Sequence, residues 1–130
     1  MADALQGAIP ALKVRIEMNE DNDANELFGR PGQYDQVTFL ADSRLGCDAA
    51  DDFNELDTVC GVKIERWPSE KAAKARAQDI QQKLRDYGLG AEWDYLVGRL
   101  VVRASGDYKP SLAEEIQRAS GAGDPVLPPS

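Results

Sequence analysis

The stretch VKIERWPSEKAAKARAQDIQQKLRDYGLGAEWDYLVGRLVVRAS, residues 62–105, decides the fold. It opens with alternating apolar and charged side chains, a pattern that predicts a strand. Pro68 and Ser69 end that strand and supply a helix N-cap, and Gly88 supplies a C-cap. The residues between these caps therefore predict a long amphipathic helix over 69–87.

The two sides of this helix differ in chemistry, so its orientation on a sheet can be predicted. The buried stripe is expected to consist of Ala73, Ala77, Ile80, Leu84 and Tyr87. The side facing water is expected to carry Lys74, Gln78, Gln81 and Arg85.

A β-hairpin is predicted after the helix. Gly98 suits the first central position of a two-residue type II′ turn, which places strands at about 92–97 and 100–104. Trp93 and Tyr95 then share one face of the first strand, where aromatic side chains are usually part of a core.

The first apolar residues of the chain follow helical spacing, which predicts a helix over residues 9–18 after a flexible lead-in over 1–8. The residues on its shared face are Leu5, Ile9, Leu12 and Ile16.

The remaining segments complete an α+β fold. Alternation over residues 34–41 predicts a strand that pairs with the strand at 62–67, and Pro110 opens a last helix. We therefore predict an antiparallel sheet of about four strands, with the long helix packed on one face and shorter terminal helices. This single domain is expected to span 9–119, with a disordered tail over 120–130.

Composition excludes several classes of function. The 130 residues carry 15 Lys and Arg against 23 Asp and Glu, a formal charge of −8, so nucleic acid should be repelled. The chain has no histidine, which excludes Ser-His-Asp and Cys-His chemistry, and two cysteines cannot build a four-ligand zinc site. We expect no metal and no cofactor, and no apolar run approaches the roughly 18 residues of a membrane span.

The cysteines Cys47 and Cys60 flank an acidic stretch and can be interpreted as a disulfide, two buried thiols or a redox pair. We favour the disulfide, because redox pairs usually sit two residues apart at a helix start. A disulfide would stabilise by about 3 kcal/mol and persist in an oxidising compartment. The pair therefore favours an extracytoplasmic protein.

Several local motifs carry a resemblance to a known family. They are GRPGQY at 29–34, DSR at 42–44, the helical run at 72–80, and Tyr95 with Gly98 and Val102-Arg103. Over about residues 22–119 the chain resembles a domain of actinobacterial lipoproteins and secreted proteins of unknown function. The resemblance implies an extracytoplasmic location, no defining enzymatic activity, and a lipid anchor upstream of this chain.

Catalysis by carboxylates alone is the enzymatic alternative, since a hydrolase of this kind needs two acids facing each other across a cleft. Glu92 and Asp94 project from the same face of one strand. Most acids in so acidic a chain are simply solvated, so we predict that the protein is not an enzyme.

A binding module for a protein or small ligand of the cell envelope is the preferred hypothesis. Its candidate residues flank the first predicted strand and are Arg30, Tyr34, Asp42 and Arg44. The structural alternative is an ion pair, such as Arg44 with Asp42, that fixes a loop to the fold.

A small acidic inhibitor, or immunity-type protein, is the alternative function. It would block a basic partner through the loop at 48–57, with Asp51, Asp52 and Glu55 as contacts. Charge steering would make such binding strongly salt-dependent.

Overall fold

The computed structural model describes residues 1–21, 27–45, 58–88 and 90–127. In these ranges the chain forms five β-strands and three α-helices, which confirms the predicted α+β class with one strand more than expected. The helices are α1 (Ala2–Ala8), α2 (Glu70–Tyr87) and α3 (Pro110–Ser120). The strands are β1 (Leu12–Glu17), β2 (Gln36–Asp42), β3 (Gly61–Arg66), β4 (Glu92–Val97) and β5 (Leu100–Ser105).

The five strands form one antiparallel sheet in the order β1-β2-β3-β5-β4. The predicted pairing of β2 with β3 and the predicted hairpin of β4 with β5 are both confirmed. β5 lies between β3 and β4, so these two strands run parallel and α2 connects them. The 18 residues of α2 rise by about 27 Å, enough to return the chain along the sheet.

The predicted helix over residues 9–18 is wrong, because this segment contains β1, which pairs with β2 at one edge of the sheet. Leu12 and Ile16 belong to the helical spacing, but the six residues of β1, LKVRIE, also alternate strictly between apolar and charged side chains. Val14 and Ile16 are branched at Cβ, which favours extended backbone. The local sequence is compatible with both a helix and a strand, and pairing with β2 selects the strand.

α1 occupies the predicted lead-in over residues 1–8. Ala2 and Leu5 are buried, and α1 packs against α3. The fold consequently begins earlier than the predicted domain boundary, because α1 covers apolar sheet surface that β1 and β2 present.

Helices cover both faces of the sheet. On the first face α1 and α3 pack over a core that includes Leu40, Val62 and Val102. On the second, which we call the α2 face, α2 packs over Phe39 and Val101. Since neighbouring residues of a strand point to opposite faces, every second residue of β3, β4 and β5 is directed towards α2.

The caps of α2 are those predicted. The Ser69 hydroxyl accepts a hydrogen bond from the Ala72 N–H at 3.1 Å, and Gly88 ends the helix at φ +61°. The buried stripe is only partly as predicted, because Tyr87 is 72% exposed and Gln81 is buried. The last turn of α2 stands clear of the sheet, and the Gln81 amide turns inward to bind β4.

The C-terminal segment, residues 121–127, also differs from the predicted tail. The Val126 N–H donates to the Asp94 carbonyl at 2.8 Å, and the Val126 side chain packs against the core of the α2 face. This contact lies on the outer edge of β4. The segment therefore covers an edge strand that would otherwise expose its backbone groups.

Candidate functional site

Charged side chains are concentrated on the α2 face of the three strands β3, β5 and β4. Lys63 and Glu65 alternate with the apolar residues of β3, and Arg103 alternates with those of β5. Glu92 and Asp94 occupy the same face of β4, as predicted. Because α2 covers this face, the charges lie inside the protein instead of facing water.

Glu65 is the centre of this network, with no exposed surface. Its carboxylate accepts hydrogen bonds from Arg76 of α2 at 3.0 and 3.3 Å, from Arg103 at 3.1 Å, and from the Trp67 indole at 3.1 Å. Burial alone would raise the pKa of Glu65, but the charges of Arg103 and Arg76 outweigh it and lower that pKa. Glu65 is therefore an ionised anchor between helix and sheet.

Arg103 continues the network to Glu92 through a two-point contact. Its Nε donates to Glu92 Oε2 at 2.8 Å and its Nη2 to Glu92 Oε1 at 3.0 Å. Burial opposes ionisation of Glu92, yet the guanidinium lowers the pKa of Glu92, and Glu92 in turn raises the pKa of Arg103. Both groups are thus charged and satisfied by each other.

Asp94 completes the network and differs from the other acids. It is fully buried, and the Gln81 amide donates to its Oδ2 at 2.7 Å. Its Oδ1 is the one buried side-chain oxygen or nitrogen among the described residues without a hydrogen-bond partner. Burial and then the neighbouring Glu92 raise the pKa of Asp94 well above its usual range.

A cleft of about 560 Å³ opens above this network. Its floor contains Glu92 and Arg103, and its walls come from the last turns of α2, the turn before β3 and the ends of β4 and β5. The lining residues are Thr58, Val59, Leu84, Gly90, Ala91, Glu92, Arg103, Ser105, Gly106 and Asp107. Gly106 is required for this shape, since a Cβ there would lie 1.8 Å from the Ala91 carbonyl oxygen.

Two of the predicted binding residues form a structural cluster elsewhere. The buried carboxylate of Asp42 accepts hydrogen bonds from the Arg44 backbone N–H at 2.8 Å, from its guanidinium at 2.7 to 3.2 Å, and from the Tyr108 hydroxyl at 2.6 Å. Burial would raise the pKa of Asp42, but these donors lower it. The ion pair proposed as the structural alternative therefore exists, and it joins the end of β2 to the start of α3.

The other predicted residues do not join that cluster. Tyr34 is buried, and its ring makes an edge contact with Trp67 at 5.5 Å between centroids. Arg30 lies in the exposed turn before β2, at the opposite end of this strand from Arg44. The candidate residues around β2 are thus divided between a core, a surface turn and a structural ion pair.

The remaining candidates lie outside the described residues, and they are Cys47, Asp51, Asp52 and Glu55. Cys60 is buried at the start of β3. The disulfide and the acidic contact loop consequently stay predictions.

The sequence carries one signal for the network. Glu65 and Arg103 stand among apolar residues of β3 and β5, which are adjacent strands. A helix that covers this face of both strands buries such charges. Arg76 lies on the predicted helix between its buried and exposed sides, where it reaches the sheet.

The described residues contain no cluster of His, Cys, Asp or Glu suited to hold a metal ion. No helix in those ranges has the length and apolarity needed to cross a membrane. Comparison of the chain with protein-family models, curated proteins and solved structures gives no match. The buried network and the cleft above it are therefore the features that bear on function.

Proposed function

We propose that this protein is a non-enzymatic binding domain that works outside the cytoplasm and receives its ligand or partner in the cleft above Glu92 and Arg103. The observation that carries this proposal is the state of the buried acids. Glu65 and Glu92 are saturated by guanidinium donors, and Asp94 has no exposed surface. A general acid or base must reach its substrate and be free to exchange a proton. Glu65 and Asp94 have no exposed surface, and Glu92, which lines the cleft, is held in a two-point contact with Arg103.

The shape and chemistry of the cleft suit recognition. Pockets for small ligands commonly enclose about 300–1,000 Å³, and the cleft of 560 Å³ falls in that range. Val59 and Leu84 offer apolar contact on its walls, and the exposed Asp107 offers a polar group, whereas the Ser105 hydroxyl is buried and donates to the Val59 carbonyl at 2.9 Å. The hydrogen-bonded network beneath the cleft would hold the lining side chains in place. This lowers the entropy that is lost when a ligand binds.

The compartment rests on the cysteine pair and the family resemblance. A disulfide between Cys47 and Cys60 would persist only in an oxidising environment. Intact-mass measurement with and without reductant, on protein from an oxidising host, should show a difference of two hydrogens. Two free thiols in that protein would contradict the extracytoplasmic proposal.

The binding experiment uses the folded protein immobilised on a support and a cell-envelope extract of the host organism. We expect a component to be retained by the wild-type protein and lost on Val59→Lys, which places a charge on the cleft wall. Val14→Lys is the matched control, because Val14 lies on β1 and is 39% exposed, against 45% for Val59.

Retention that survives Val59→Lys, or that is lost equally with Val14→Lys, would contradict the cleft as the binding surface. Failure to retain any component would contradict the binding proposal itself. Circular dichroism and thermal unfolding of both variants separate loss of binding from loss of folding.

The inhibitor hypothesis remains the second candidate. It is favoured by connectivity, since the acidic segment 46–57 leads directly into Thr58 on the cleft wall. Replacing Asp51, Asp52 and Glu55 with their amides should then abolish retention, and 0.5 M salt should weaken it strongly. Indifference to both changes would contradict an inhibitor and leave the cleft proposal intact.

A further inference from the structure

We propose that Asp94 and Glu92 share one proton in the folded protein above pH 5, and that loss of this proton as the pH rises further releases the outer edge of β4. The proton resides on Asp94, whose Oδ1–H donates to the Glu92 carboxylate. The pair thereby acts as a pH-sensitive latch for the elements attached to β4.

The hydrogen bonds of Asp94 satisfy only one of its two carboxyl oxygens. An ionised carboxylate needs donors for both oxygens when it is fully buried. Gln81 supplies one donor, to Oδ2, and Oδ1 has none among the described residues. If Oδ1 carries the proton, its O–H can donate a hydrogen bond to the neighbouring Glu92 carboxylate. Both oxygens of Asp94 then have a hydrogen-bond partner.

The guanidinium groups of the network are shared unevenly among its three carboxyl groups, Glu65, Glu92 and Asp94. The two arginines donate to only two of them, Glu65 and Glu92. Arg103 stands directly opposite Asp94 in the strand register, yet it donates to Glu92 instead. Asp94 is therefore the carboxyl that the network leaves without a cationic donor, and burial of an ionised group there would be costly.

Glu92 on β4, Arg103 on β5 and Gln81 on α2 act on Asp94 directly. The other charged groups of this part of the α2 face are Lys63 and Glu65 on β3, which β5 separates from β4, and Arg76 on α2, which donates to Glu65. Asp124 is the titratable residue of the C-terminal segment, and it is exposed. Burial and Glu92 both favour the protonated form, and Arg103 opposes it.

Asp94 is bonded to two other parts of the chain, through its carboxyl group and through its backbone carbonyl, and these bonds form the latch. The Gln81 amide bridges the Asp94 carboxyl and the Glu92 carbonyl, at 2.7 and 3.1 Å, and so ties α2 to β4. The Asp94 carbonyl accepts from Val126 and so ties the C-terminal segment to the same edge. Two adjacent ionised carboxylates would repel each other, which would loosen both attachments and the cleft floor.

The absence of histidine makes this proposal measurable. Ordinary carboxyl groups finish titrating near pH 5, and this chain has no imidazole that titrates between pH 5 and 7. A group that binds a proton more tightly when folded stabilises the protein at low pH, and this stabilisation is lost as pH rises through its folded pKa. The unfolding constant of the wild-type protein should therefore rise by up to about tenfold per pH unit above pH 5.

The test combines urea unfolding at pH 5 to 7.5 with carbon NMR of the carboxyl groups. We expect the Asp94 carboxyl carbon to titrate above pH 5, and the Val126 amide signal to shift with the same midpoint. Asp94→Asn keeps the shape and donates to Glu92 without a titrating proton, so its unfolding constant should be independent of pH over this range. Asp79→Asn, on the exposed side of α2, is the control and should retain the wild-type slope.

Completion of the Asp94 titration below pH 5 would overturn the shared proton, and this measurement on the wild-type protein does not depend on a variant folding. A pH-independent wild-type unfolding constant would overturn it as well. Titration of Asp94 without a matching shift of Val126 would overturn the latch.

Discussion

Asp42 and Asp94 are two aspartates of one sheet with almost no exposed surface, but their pKa values shift in opposite directions. Asp42 accepts hydrogen bonds from Arg44 and Tyr108 that outweigh the effect of burial on its pKa. Asp94 receives one amide donor, and its pKa is raised. Burial raises the pKa of both carboxyl groups, and the difference between them follows the donors at Asp42 and the neighbouring Glu92 at Asp94.

Asp42→Ala should cause the largest loss in the free energy of unfolding. This change leaves the Arg44 guanidinium and the Tyr108 hydroxyl without their acceptor, and removing one partner of such a buried cluster costs about 3 kcal/mol. Urea unfolding at pH 7 should show that loss. A change below about 1 kcal/mol would contradict the role of Asp42 as the anchor between β2 and α3.

Tyr108→Phe should have an intermediate effect. It removes the hydroxyl that donates to Asp42 at 2.6 Å, and a hydrogen bond to a charged acceptor is worth about 1.5–3 kcal/mol. The effect should be smaller in the Asp42→Ala background, because the two residues share one interaction. Additive losses in a double-mutant cycle would contradict direct coupling.

The stability that Asp42 contributes should depend on pH in the acid range. The pKa of Asp42 is lowered by folding, so its contribution to stability is complete above its unfolded pKa of about 3.9 and is lost as pH falls through the folded value. Between pH 5 and 3 the wild-type protein should lose more stability than Asp42→Asn does, by at most about 1.4 kcal/mol per pH unit. Equal losses would show that Asp42 does not prefer its ionised form in the folded protein.

The smallest effect is expected for Asp94→Asn. At pH 5 the asparagine replaces a protonated carboxyl group of the same shape, so the free energy of unfolding should change by no more than about 0.5 kcal/mol. Unfolding titrations of both proteins in one buffer measure this difference. A loss of several kcal/mol would mean that Asp94 is ionised and that the contrast with Asp42 does not exist.

The sequence was sufficient for the elements whose signals are local. Ser69 and Gly88 fix the ends of α2 through backbone preferences, and Gly98 fixes the hairpin through its positive φ. The Arg44–Asp42 pair could also be predicted, because its members are two residues apart. For β1 the local signals were ambiguous, and the sheet edge presented by β2 decided the outcome.

The buried network could not be predicted because its contacts join distant parts of the chain. Arg103 meets Glu65 from 38 positions away, and Tyr108 meets Asp42 from 66. Alternation shows that a charge lies opposite an apolar residue, but it does not show which face a helix will cover. The pattern of β3 and β5 therefore does not show that these charges are buried, and the packing of α2 encloses them.

The attachment of Val126 to Asp94 also has a consequence for association between chains. β4 is an edge strand, and an uncovered edge offers backbone groups to any other strand that approaches. The other edge, β1, carries Lys13 and Arg15 and an irregular register at Leu12, all of which discourage pairing. By covering β4, the last described residues of the chain shield the sheet from edge-to-edge aggregation.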